Sequence, residues 1–153
     1  MASDQYNDGN GNVVSNSVTV PVVAALPGIF SVNESGTGPG AILNQDYSLN
    51  AAGNPAAAGS FIQVFGTGGG AVVGGATDGG LAPGTTSFVT QPVTATIGGV
   101  TANVLYAGPA PGEVNGVMQV DLTVPQGLAS GPQPLVITVG TAQTQAGITV
   151  AVQ

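Results

Sequence analysis

The sequence predicts an all-β domain, a two-layer sandwich of about seven short strands. Three observations predict it. Runs rich in Val, Thr, Ile and Phe recur at short spacing along the chain. The 26 glycines and 11 prolines fall mostly between those runs, where turns are needed. No stretch carries the apolar 3.6-residue period of an amphipathic helix. With 42% hydrophobic residues in 153, the chain can bury a core and is too apolar for a disordered segment.

The elements follow in order. Residues 1–12, MASDQYNDGNGN, read as a polar tail. Residues 13–25 form a first strand in which Pro21 is tolerated at an edge or bulge. Pro27-Gly28 is a turn, followed by the apolar anchors Ile29 and Phe30. NESGTGPG (33–40) is a loop, and AILNQDYSLN (41–50) alternates around Asn44-Gln45-Asp46 as a small hairpin. In AAGNPAAAG (51–59) Gly and Pro interrupt the alanines too often for a helix. SFIQVFG (60–66) is a strand, with Phe61 and Phe65 expected inside. Gly66–Gly84 is a long loop holding the short strand Ala71–Val73. Residues 92–108 are two strands about the Gly98-Gly99 turn. Residues 116–127 alternate, with Met118, Val120, Leu122 and Val124 on one face, and 133–153 make a pair around Gly140–Gln143. The implied organisation is an N-terminal arm (1–30) containing a candidate donor strand (18–25), a loop and small hairpin (31–55), and the sandwich (56–153).

Charge narrows the function classes. The chain has no Lys, Arg or His against seven acidic residues, a net charge of −7. Nothing neutralises phosphate, so nucleic acid and anionic membrane surfaces are not expected partners. Val18–Leu26 is too short to span a bilayer, and membrane insertion is not expected. Burying Thr, Asn, Gln or Gly against a neighbour costs less desolvation than burying Lys or Glu, so such a surface packs readily into a polymer. Biased genome composition accounts for the same inventory equally well. There is no cysteine, and residues 1–12 lack the basic start of a signal peptide.

Catalysis is not expected. The absence of His, Cys, Lys and Arg removes the usual triads, thiolates and Schiff-base lysines. Asp4, Asp8, Glu34, Asp46, Asp78, Glu113 and Asp121 are scattered, without an acid/base pair. FGTGGGA (65–71) imitates a dinucleotide fingerprint, but no helix can follow Gly74-Gly75, so its glycines read as turn and close-approach positions. DGNGN (8–12) sets Asp8, Asn10 and Asn12 at the first, third and fifth places of a calcium loop. Val13 replaces its glycine and Thr19 its closing glutamate, so a solvated Asx-rich turn is the better reading. No cofactor is expected, calcium at those three residues being the one candidate. Tyr6, Tyr47 and Tyr106 read as packing or corner residues before sugar platforms.

LPGIF (26–30), AILNQDYSLN (41–50), NPAAAGSFIQVFGTGGG (54–70), DGGLAPG (78–84) and VTATIGGVTANVLYAGPAPGEVNGVMQVDLTVPQG (93–127) occur in an order that resembles the C-terminal immunoglobulin-like domain of exported acidobacterial proteins. That family has no assigned activity. The resemblance runs from about Val18 to Val152 and implies an immunoglobulin-like β-sandwich and a secreted, extracellular or cell-surface location. Tyr47 departs from it, since the family has Gly in that turn. The family domain also ends longer chains, after a repeat whose last strand is similar to Ser17–Leu26.

Here that strand opens the chain, and it has three fates: pairing within its own sandwich, being a stub of a longer protein, or donation to a neighbouring copy. Donation is the expectation, because an exposed β-branched strand is an aggregation hazard unless a sheet accepts it. Head-to-tail transfer propagates into a filament, held by Val18, Val20, Val22, Val23, Leu26, Ile29 and Phe30. The function expected is therefore a structural subunit of a homopolymeric filament or sheath. The alternatives are a monomeric adhesion module that binds glycan or protein, and a passive spacer domain.

Overall fold

In the computed structural model, residues 5–7, 9–83 and 87–153 are described. All its regular structure is β, with no helix among the described residues. Gln5–Asn7 (β1) and Asn12–Val14 (β2) form a two-stranded antiparallel sheet of their own. The tail expected at 1–12 is thus partly a hairpin, its turn using Gly9 and Gly11 at φ +89° and +140°.

The remaining strands are Gly28–Ile29 (β3), Gly38–Pro39 (β4), Ile42–Asn44 (β5), Phe61–Thr67 (β6), Val93–Ile97 (β7), Val100–Pro109 (β8), Val117–Thr123 (β9), Gly131–Val139 (β10), Ala142–Gln143 (β11) and Ile148–Val152 (β12). They join one curled mixed sheet in the order β3-β6-β9-β8-β7-β10-β12-β4, with β5 on β6 and β11 on β10. Every pairing is antiparallel except β12 with β4. The tight β7–β8 turn is the one anticipated, Gly98 and Gly99 both at positive φ (+60° and +80°) as a two-residue hairpin requires.

The curl has a local cause. Val100–Ala102 of β8 pair with β7, whereas Asn103–Pro109 pair with β9. The register slips between Val104 and Tyr106, leaving Leu105 as a bulge residue that projects to solvent. A bulge bends its strand and raises the local twist, so β8 carries the sheet round a corner. The inner faces then meet in one core: Ile62 and Val64 of β6, Met118, Val120 and Leu122 of β9, Ile97 of β7, Leu135, Ile137 and Val139 of β10, and Ile148, Val150 and Val152 of β12. Each of these side chains contributes about 1.5–3 kcal/mol by leaving water.

Three expectations are corrected. Burial in β6 falls on Ile62, Val64 and Gly66, so Phe61 and Phe65 lie on the opposite, partly exposed face. With a period of two, pairing of Ile62 and Val64 with Leu122 and Val120 decides the inner set. The first strand expected over 13–25 ends at Val14, and residues 15–27 contribute no strand to the large sheet. Pro21 and Pro27 lack the N–H that a ladder needs. The short strand at Ala71–Val73 is a single bridge, Val72 to Val89.

Candidate assembly surface

The N-terminal arm is fastened by glycine. Leu26 donates its N–H to the Gly68 carbonyl at 2.9 Å, extending the β3–β6 pairing towards the N-terminus. A Cβ on Gly66, Gly68 or Gly70 would stand 2.3, 2.0 or 2.2 Å from the carbonyl oxygens of Gly28, Leu26 and Ala24 respectively. No side chain fits at those distances, so the GTGGG stretch is a ribbon on which the arm's root lies backbone to backbone. Ala25 packs against the core at this root.

Beyond the root the arm is exposed throughout residues 13–24. Val18, Val20, Val22, Val23 and Leu26 all project to solvent, Val22 at 95%. Phe30 is also exposed, whereas Ile29 is 2% exposed and belongs to the core. Of the predicted assembly residues, the fold therefore sets six outside and draws Ile29 in.

Side-chain amides cap backbone groups at two places on the large sheet, on β12 beyond its pairing with β4 and on the end strand β3. On β12, the Asn50 Oδ1 accepts the Ala151 N–H at 2.8 Å and its Nδ2 donates to the Ala151 carbonyl at 2.9 Å. Gly40 and Ala56 donate N–H groups to Thr149 and Ala151 on the same side. On β3, the Gln145 Oε1 accepts the Ile29 N–H at 3.0 Å and its Nε2 donates to the Ile29 carbonyl at 2.6 Å. An amide side chain presents one donor and one acceptor, as a neighbouring strand would. Many proteins guard edges with lysine. This chain has none and uses neutral amides instead. Sequence reasoning missed Asn50 and Gln145, because nothing local distinguishes them from turn residues.

Beside the ribbon is an apolar cleft of about 350 Å³, lined among others by Gly69, Val72, Ala76, Val89, Asn115 and Met118. No charged side chain lines it.

The acidic and aromatic candidates are dispersed. Among the described residues no group of carboxylates stands close enough to hold a metal ion. Asp8 of the calcium candidate lies outside the described residues; Asn10 is exposed, and Asn12 belongs to β2. Asp121, half-buried on the outer face of β9, has its carboxyl pushed up by desolvation, partly offset by a 2.9 Å hydrogen bond from Gln119 Nε2. Asp46 is held below the ordinary carboxylate range by hydrogen bonds from the Ser48 hydroxyl and N–H. Tyr106 is a packing residue: its hydroxyl donates to the Pro109 carbonyl at 2.6 Å, and Phe88 tilts against its ring at 5.6 Å. Burial, then the Asp121 charge, raises its phenol above the usual value. Tyr47, by contrast, is exposed at the tip of the β5 hairpin at φ +64°.

Among the described residues, no helix is long and apolar enough to cross a membrane. Compared with protein-family models, with curated proteins and with solved structures, the chain finds no match.

Proposed function

We propose that this protein is a secreted structural subunit, an immunoglobulin-like β-sandwich that assembles head-to-tail into a filament or sheath by donating its N-terminal strand. One observation carries the reading: an uncharged aliphatic arm, exposed over residues 13–24, is fixed to the domain by a root that tolerates no side chain. Val18, Val20, Val22 and Val23, all exposed beyond the root, contribute about 1.5–3 kcal/mol each if a neighbour covers them. Capping of the Ala151 and Ile29 backbone by Asn50 and Gln145 supports it too, since it suppresses unplanned pairing there and leaves the arm as the adhesive element. The corner in β8 and the single shared core support the sandwich. With no His, Cys, Lys or Arg, the reading assigns the chain no reaction.

Electron microscopy of the full chain beside a version lacking residues 1–23, which keeps the glycine-anchored root, tests this. Filaments from the first and folded monomers from the second are expected. Monomers from both refute assembly.

A second reading, a monomeric surface module binding glycan, is favoured by Tyr47 alone. An exposed aromatic at positive φ costs stability and packs against little, which is a feature of binding loops. Binding to a glycan array that survives truncation of the arm and disappears with Tyr47→Ala would establish it.

A further inference from the structure

We infer that the apolar cleft beside the glycine ribbon is the acceptor for the arm of a second copy, taking the face of Val18, Val20 and Val22; this rests on the assembly reading above. Geometry separates donor and acceptor within one chain. The positions of Gly68 and Gly70 turn towards the Leu26 and Ala24 carbonyls, on the arm's side of the ribbon. Gly69 turns the other way, its Cβ position lying 2.7 Å from the Met118 sulfur and 3.1 Å from a Val89 methyl, into the cleft. Root and cleft thus use opposite Cβ directions of one ribbon, and on this inference the cleft takes a neighbour's arm rather than its own.

Charge selects the occupant. Every charged side chain is acidic, and Asp78 and Glu113 stand close in sequence to the cleft residues Ala76 and Asn115. An anionic segment is repelled there, and the chain has no cationic segment to offer. Residues 9–33 carry no charge at all. Val18, Val20 and Val22 alternate, so an extended arm presents all three to one side. The cleft has a volume of about 350 Å³, and apolar side chains entering it replace water against walls that offer few hydrogen bonds. Reach is sufficient: residues 15–24 span ~33 Å when extended, against a radius of gyration of roughly 15 Å for a domain of this length.

The natural absence of cysteine makes cross-linking clean. The chain is prepared as Val20→Cys/Ala76→Cys, as each single variant, and as Val20→Cys/Ala52→Cys, Ala52 lining a groove at the β12 end. After mild oxidation the first double variant is expected to give a ladder of covalent multimers on a non-reducing gel, while single variants stop at dimers. A monomer with an internal disulfide overturns the inference, because the arm then fills its own cleft. Filaments in micrographs without that ladder, or a ladder from the Ala52 pair instead, also overturn it but leave strand donation standing. No filaments and no ladder remove the assembly reading as well.

Discussion

Replacing Gly68 by Ala tests the ribbon argument, and Gly74→Ala provides its control. Both glycines sit at nearly the same positive φ, +78° and +83°. An L-residue in that region costs about 1–2 kcal/mol, so both variants lose that much. Around Gly74 nothing lies within 4 Å of the new methyl, and the loss ends there. At Gly68 the methyl would sit 2.0 Å from the Leu26 carbonyl oxygen, so the root must move. The Leu26 N–H bond to Gly68 is then lost, about 0.5–1.5 kcal/mol, and residual overpacking adds about 1–3 kcal/mol. Gly68→Ala should therefore cost about 1.5–4.5 kcal/mol more than Gly74→Ala by these terms. Urea denaturation followed by circular dichroism measures the difference. At about 2–4 °C per kcal/mol, a thermal midpoint should separate the variants by several degrees. Elastase adds a local readout, since trypsin has no site in this chain: cleavage near Ala24–Ala25 should accelerate in Gly68→Ala only. Equal losses and equal cleavage in the two variants would refute the backbone-to-backbone account of the arm's root.

Tyr47→Gly should stabilise the fold by about 0.5–1 kcal/mol, because relief of the positive φ exceeds the entropy that glycine adds to the unfolded chain; a higher urea midpoint with an unchanged slope is the signature. Asn50→Ala should destabilise by about 1–3 kcal/mol, removing the partner of the Ala151 N–H while the Ala151 carbonyl keeps the Ala56 N–H, and light scattering should detect arm-independent association through the opened edge. Asp121 has a raised folded pKa, so the folded state holds its proton more tightly than the unfolded state. Its contribution is present below the unfolded carboxylate pKa and is lost as pH rises through the raised folded value. Asp121→Asn should accordingly raise stability at neutral pH and flatten that part of the stability–pH profile.

Much of the local structure was legible in the sequence. Alternation marked Met118, Val120, Leu122 and Val124 as one inner face, and all four are buried. Gly98-Gly99 announced a two-residue turn because only glycine takes positive φ twice in succession without strain. The absence of cationic side chains is likewise read directly from the sequence, before any fold is considered.

What tertiary structure decided lies where the local signal is symmetric or silent. Phe61-Ile62-Gln63-Val64-Phe65 offers an apolar set in either parity, and only pairing with β9 turned Ile62 and Val64 inward. Val13–Ala25 reads as a strand at every position but Pro21. Strand structure needs a ladder partner as well as propensity, and residues 15–23 hold a single bridge position, Val18, and no strand. Asn50 and Gln145 look like turn residues because their partners, Ala151 and Ile29, lie 101 and 116 positions away. The glycines of the ribbon were visible in the sequence as glycines. That a carbonyl of the arm occupies the space beside each of Gly66, Gly68 and Gly70 is a long-range fact, and together with the positive φ of Gly68 and Gly70 it explains why none of them carries a side chain.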